Sequence, residues 1–210
     1  MMLLHWARLF AVALAVMLTA CGAMPERLAG QGPDADVKIV AAPVSPEVQR
    51  EFDQGIQSMQ GQNWADALVV MESLWEKYPW LSGPALNAAL ICQQLGQLEE
   101  AEQWYIRAIE SNGDNLEARN EYAIFLRTGG RYREAQEQYR NALALFADSP
   151  ETHYNLGILY DLYLGEKDLA LQHFSRYQQL TGEEDRKVAG WIADLQRQLD
   201  MLARAPGAAT

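Results

Sequence analysis

Two cysteines, three histidines and a few paired carboxylates are the groups in this chain that could carry chemistry. Cys21 closes an apolar run, Leu9 to Leu18, in a leader whose first 20 residues hold one cation, Arg8, and no acid. Cys92 falls on the apolar face of a helical pattern, the setting of a small buried hydrophobe. His153 and His173 stand in different predicted helices with no cysteine to complete a ligand set. A zinc ion needs three or four ligands in fixed geometry, so no metal is expected. The pairs Glu99-Glu100 and Glu183-Glu184 open predicted helices, where carboxylates complement the helix dipole. No serine sits in a Gly-rich elbow, and nothing has the form of a phosphate-binding loop. The expectation is a chain with no catalytic residues, no cofactor and no small-molecule substrate.

What must position these groups is a repeat. Ala67, Ala101, Ala135 and Ala170 are spaced 34, 34 and 35 residues apart. Trp64, Leu98 and Tyr132 precede the first three by three residues. Met71, Tyr105, Tyr139 and Phe174 follow all four by four residues, and Gly55, Ala89, Ala123 and Gly157 form a column of tiny residues upstream. The fourth unit holds one extra residue, expected in the turn between its helices. Self-similarity at this period marks stacked helix pairs. Apolar spacing and the turn signals predict pairs at 46–60 with 65–78, 81–95 with 98–111, 116–128 with 132–145 and 151–164 with 168–180. Thr181-Gly182-Glu183-Glu184 reads as a capping box. After it, Val188, Trp191, Ile192, Leu195, Leu199 and Leu202 line one face of a closing helix, with Trp191 in the core.

The leader ends in Leu18-Thr19-Ala20-Cys21-Gly22, which resembles a bacterial lipobox. That resemblance implies cleavage before Cys21, a diacylglyceryl thioether on its sulfur, and anchoring in a membrane. Gly22, in place of Asp, implies the outer membrane of a Gram-negative envelope, with the protein facing the periplasm. Dropping Arg8 with the leader leaves 16 cations against 28 anions, a net charge of −12. So acidic a chain suits neither nucleic acid nor anionic headgroups. With Cys21 modified, Cys92 has no partner for an intramolecular disulfide. Residues 21–46, broken by Pro25, Pro33, Pro43 and Pro46, read as a lipidated tether.

The fourth unit, Tyr154-Asn155-Leu156-Gly157-Ile158-Leu159-Tyr160 through Ala170 and Phe174, resembles the tetratricopeptide repeat. The resemblance implies an all-α, right-handed superhelical solenoid of four repeats, at about 48–81, 82–115, 116–149 and 150–181. A capping helix at 182–204 and a tail at 205–210 complete it. It also implies a concave groove lined by the first helix of each unit: Phe52, Ile56 and Met59; Leu86, Asn87, Leu90 and Gln93; Glu117, Asn120, Glu121, Ile124 and Arg127; Tyr154, Asn155, Ile158 and Asp161. Amides at its edges would pair with a partner's backbone while Ile and Leu accept its side chains. The Lys and Arg with which one subgroup grips a terminal carboxylate are absent, since those positions hold Phe52, Ile56, Asn87, Glu117 and Glu121. The implied function is that of a lipid-anchored scaffold holding an envelope protein or peptide. Pilus or secretin assembly, outer-membrane assembly and cell-wall machinery are the processes such lipoproteins serve. The alternative is a peptidoglycan-binding protein or hydrolase activator, drawing on the six tryptophans and nine tyrosines. Trp64, Trp104, Tyr105, Tyr132 and Tyr139 fall at packing positions, however, leaving Trp75 and Trp80 for the surface.

Overall fold

A computed structural model describes residues 44–182 and 185–204. The leader, Cys21 with the segment up to residue 43, Glu183, Glu184 and the tail from 205 lie outside the described residues. Every element among the described residues is helical. The helices are α1 (Pro46–Gln60), α2 (Trp64–Lys77), α3 (Ser82–Gln94), α4 (Leu98–Ser111), α5 (Leu116–Thr128), α6 (Tyr132–Leu145), α7 (Pro150–Ile158), α8 (Lys167–Thr181) and α9 (Arg186–Arg204). They divide into two compact units, with the boundary after Ala118 inside α5.

In the first unit, α1 begins with Ser45 as N-cap and Pro46 as its first residue, the Ser45 Oγ accepting from the Val48 N–H at 3.3 Å. A proline costs nothing there, because its missing N–H would have been unsatisfied anyway. The helix ends in a turn in which the Asn63 N–H reaches back to the Ser58 carbonyl at 2.8 Å, and Gln62 takes φ of 60°. The next hairpin uses Gly96 at the equivalent place, with φ of 74° and the Gln97 N–H on the Cys92 carbonyl. A side chain in this left-handed conformation costs about 1–2 kcal/mol that glycine avoids. Ala67, Met71, Leu74, Ala89, Ala101, Tyr105 and Ala108 are fully buried between the paired helices.

The second unit repeats the design. Ser149 caps α7, Pro150 follows it, and Ser149 Oγ accepts from the Thr152 N–H at 3.3 Å. Ala123, Ala135, Tyr139, Ala142 and Ala170 have no exposed surface, and Phe174 almost none. The extra residue of the fourth repeat is not in the turn, as expected, but in the helix. Residues Leu159–Leu164 continue α7 as a π-helix, closed by Gly165 at φ of 68°. The Glu166 N–H consequently reaches the Tyr160 carbonyl, six residues back, where the earlier turns reach five. Lengthening one turn of backbone bonds keeps both hairpin faces in register, which an elongated loop would not need to do.

The capping box is also corrected. Thr181 belongs to α8, where its Oγ1 donates to the Tyr177 carbonyl at 3.1 Å, and Gly182 ends that helix at φ of 61°. The cap of α9 is Asp185, whose Oδ1 accepts from the Lys187 and Val188 N–H groups at 2.9 and 3.3 Å. A carboxylate at the N-cap satisfies two orphan donors and meets the positive end of the helix dipole.

Two glycines mark the closest approaches. A Cβ on Gly157 would stand 2.5 Å from two carbons of the Phe174 ring, and one on Gly55 would stand 2.5 Å from the Met71 methyl. A buried ring cannot move aside, whereas a methionine end swings readily. Gly157→Ala is therefore expected to destabilise the chain by about 1–3 kcal/mol through overpacking. Gly55→Ala should lie near neutrality, since the alanine's better helix propensity offsets the displaced methyl by about 1 kcal/mol. Urea midpoints of the two variants against the parent measure the difference.

Candidate partner-binding faces

In the first unit, the first helices turn most of their expected groove residues inward. Phe52, Ile56 and Met59 on α1, and Leu86 and Asn87 on α3, are buried. Asn87 Nδ2 donates to the Gly83 carbonyl at 2.9 Å, because an amide removed from water must find its partners inside. Leu90 and Gln93 are half-buried, and Gln93 Oε1 accepts from the Tyr105 hydroxyl.

The second unit divides its residues likewise. Asn120 and Asn155 are buried, and Asn120 Oδ1 accepts from Thr152 Oγ1 at 2.9 Å. The expectation that these amides edge an open groove is thus corrected for Asn87, Asn120 and Asn155. The apolar residues Phe52, Ile56, Met59 and Leu86 are corrected with them: all seven lie in the packed interior. The half-buried remainder on α5 is Glu117, Glu121, Ile124 and Arg127, and on α7 and its π-helical extension Tyr154, Ile158 and Asp161. Their i, i+3/i+4 spacing places each set on one stripe of its helix. Asp161 pairs with Lys167 at 3.6 Å, and the Arg127 guanidinium lies 5.9 Å from the Tyr163 ring centre. Arg127 replaces, 34 residues on, the Gln93 that holds Tyr105. Tyr139 OH and Arg127 Nη1 are accordingly buried without a hydrogen-bond partner, and burial pushes the Tyr139 phenol well above its ordinary range.

Tyr105 and Tyr139 are buried at their packing positions, as expected. Trp104 is buried and Trp75 half-buried, edge-on to it at 5.3 Å. The Trp75 Nε1–H donates to Ser111 Oγ at 3.3 Å, while the Arg107 guanidinium covers both rings at 5.2 and 4.4 Å. Trp80 is 37% exposed. Trp191, expected in the core, is half-buried. It belongs to a cluster with Phe174 at 5.2 Å and Tyr154 at 6.1 Å, and Tyr154 meets Tyr177 at 5.2 Å.

Cys92 is buried, its thiol pushed up to about 11 by that burial and then by Glu72 and Glu100. Among the described residues, no group of three or more His, Cys, Asp or Glu is placed to hold a metal ion. No described helix is long and apolar enough to cross a membrane.

The two histidines that the sequence left apart meet across the α7–α8 hairpin, Nδ1 to Nδ1 at 2.9 Å. His153 Nε2 faces the Ala147 carbonyl at 3.0 Å. A carbonyl only accepts, so that nitrogen carries the hydrogen, His153 Nδ1 is the acceptor, and His173 Nδ1 donates. The Tyr160 ring stacks on His173 at 5.4 Å. Burial, then the neighbouring His153, holds His173 down to about 4 from an ordinary 6.5. The unfolded chain therefore binds the proton first. Stability from this group is complete above pH 6.5 and is lost as pH falls from there towards 4. Discounted for partial exposure, the loss is on the order of 1–2 kcal/mol. Urea midpoints taken at several pH values should fall across that window, and His173→Gln should flatten the slope.

Residues 126–161 match a family model described as TPR repeat, and residues 85–115 match one described as tetratricopeptide repeat. No curated protein sequence matches the chain. Among solved structures, that of Pseudomonas aeruginosa PilF is 23% identical. It has a TM-score of 0.64 over 73% of this chain and 69% of that one. MamA from Desulfovibrio magneticus RS-1 is 13% identical, with a TM-score of 0.61 over 74% of this chain and 87% of its own. Another MamA crystal structure is 15% identical, with a TM-score of 0.58 over 73% and 88% of the two chains. Residues 85–115 and 126–161 thus match the tetratricopeptide repeat, and the described residues share the helix-pair fold of these structures.

Proposed function

We propose that this chain is a non-enzymatic, lipid-anchored scaffold of the bacterial envelope that holds a protein or peptide partner against its first-helix faces. The observation that carries the reading is that apolar residues of the first helices of the second unit, Ile124 on α5 and Tyr154 and Ile158 on α7, stay half-buried. Repeats of this kind are interaction surfaces rather than clefts. The anchor rests on the lipobox at Cys21, and the periplasmic face of the outer membrane on Gly22. Pilus or secretin assembly is the process favoured among the three, supported by the likeness in fold to PilF.

The anchor is tested by Cys21→Ser, which should abolish incorporation of labelled fatty acid in intact cells. Label uptake equal to the parent's removes the lipoprotein reading. The face is tested by Ile124→Glu with crosslinking in cells and mass spectrometry of the captured partner. A carboxylate forced into an apolar contact with nothing to pair it costs a few kcal/mol of binding, about 2 or more. Capture should drop by at least about tenfold, while the helical circular dichroism persists because the side chain reaches water in the free protein. Undiminished capture places the partner elsewhere.

A further inference from the structure

The aromatic cluster at the end of the second unit has features that packing alone does not require. Its rings come from three helices, Tyr154 on α7, Tyr177 on α8 and Trp191 on α9, and all three are half-exposed. A cation already lies on it: the Lys187 ammonium stands 4.7 Å from the centre of the Trp191 ring. Lys187 is itself exposed and sits in the first turn of α9. It stands two residues after Asp185, whose carboxylate caps the helix. Lys187 and Trp191 stand at i and i+4 of α9, so the ammonium reaches the indole face along its own helix, beside the Asp185 carboxylate. Burial and then the Asp185 carboxylate raise the Tyr154 phenol, followed by Tyr177, with Arg127 acting in the opposite sense. A carboxylate thus bears on Tyr154, one ring of the cluster. The whole chain carries a net charge of −11, which draws cations towards it and repels acidic partners.

We propose that the Tyr154–Tyr177–Trp191 cluster receives a basic side chain, lysine or arginine, of a polypeptide partner, and that Lys187 occupies the place in the free protein. The inference rests on the reading of the first-helix face in one respect, that Tyr154 looks towards the partner; it adds the chemistry of what is bound there. Ring faces attract cations through their quadrupole, most strongly for Trp, and the attraction grows as the cation is desolvated. An arginine also stacks flat on such rings where a lysine cannot. The incoming cation displaces Lys187 into water, which a four-carbon stem on an exposed helix start permits.

The test uses the full-length protein in detergent and a fluorescein-labelled peptide, Gly-Leu-Arg-Leu-Gly. A second peptide carries citrulline, neutral and of the same shape, in place of arginine. Anisotropy titrations should show the citrulline peptide binding about tenfold more weakly, the scale of a partly desolvated cation–π contact. Lys187→Gln should tighten the arginine peptide several-fold. Lys77→Gln, an equal change of net charge in the other unit, should leave it unchanged. Trp191→Leu should weaken it about tenfold with the helical signal retained; if that variant does not fold, the Lys187 and Lys77 comparison decides. Equal binding of the two peptides, or equal effects of Lys187→Gln and Lys77→Gln, would overturn the proposal. If Ile124→Glu abolishes partner capture while the arginine peptide fails these tests, the face stands and the cation site falls. If the peptide behaves as expected and capture survives Ile124→Glu, the cation site stands and the face falls.

Discussion

Everything in this structure depends on how closely the two helices of a hairpin can approach. The distance is set by a residue with little or no side chain on the first helix and a bulky one on the second. At Gly157 and Phe174 the contact is tight enough that a methyl group would overlap the ring. Once that distance is fixed, the alanines of the second helices are sealed, and the large residues four positions later have one place to go. Close-packed interiors tolerate neither a gap nor an added carbon, so the hairpin acts as a rigid unit. The surface it presents is then a consequence of packing rather than an independent feature.

That consequence explains which side chains are left for a partner. Helices drawn together at a small residue bury much of the first helix as well, and the amides at Asn87, Asn120 and Asn155 go inside with it. What stays accessible is a narrower stripe than the family pattern implies. Its repeat-to-repeat variation is chemical: Gln93, Arg127 and Asp161 occupy equivalent places as an amide, a cation and an anion. The amide accepts from Tyr105 behind it, Tyr139 behind the cation has no hydrogen-bond partner, and the anion turns to Lys167. The backbone repeats; the electrostatics of its face does not.

The helix pairs were legible in the sequence because tiny and bulky residues recur where two helices must touch, and periodicity reports that directly. Two local signals misled. Thr181 and Glu184 match a capping box by spacing, yet Asp185 is the stronger cap and Gly182 can adopt the left-handed turn that ends α8. The additional residue was assigned to a turn because loops usually absorb length. The His153–His173 contact could not be read at all. It joins residues of two helices whose meeting depends on the rotation of each about its axis, which spacing along the chain constrains only loosely, whereas Lys187 and Trp191 share one face of α9 at i, i+4.

The π-helical turn at Leu159–Leu164 bears on how such arrays change over time. An added codon in a helix ordinarily rotates every later side chain by about 100° relative to its neighbours, which would carry Phe174 away from Gly157. Here one wide turn takes up the whole rotation before the hairpin closes. The surplus appears at the surface, where Leu162 is 68% and Tyr163 42% exposed. A lineage carrying this insertion acquires new side chains at the rim of a repeat without disturbing the interior. Chain length and packing register are therefore separable characters in this fold, and the rim is where novelty enters at least cost.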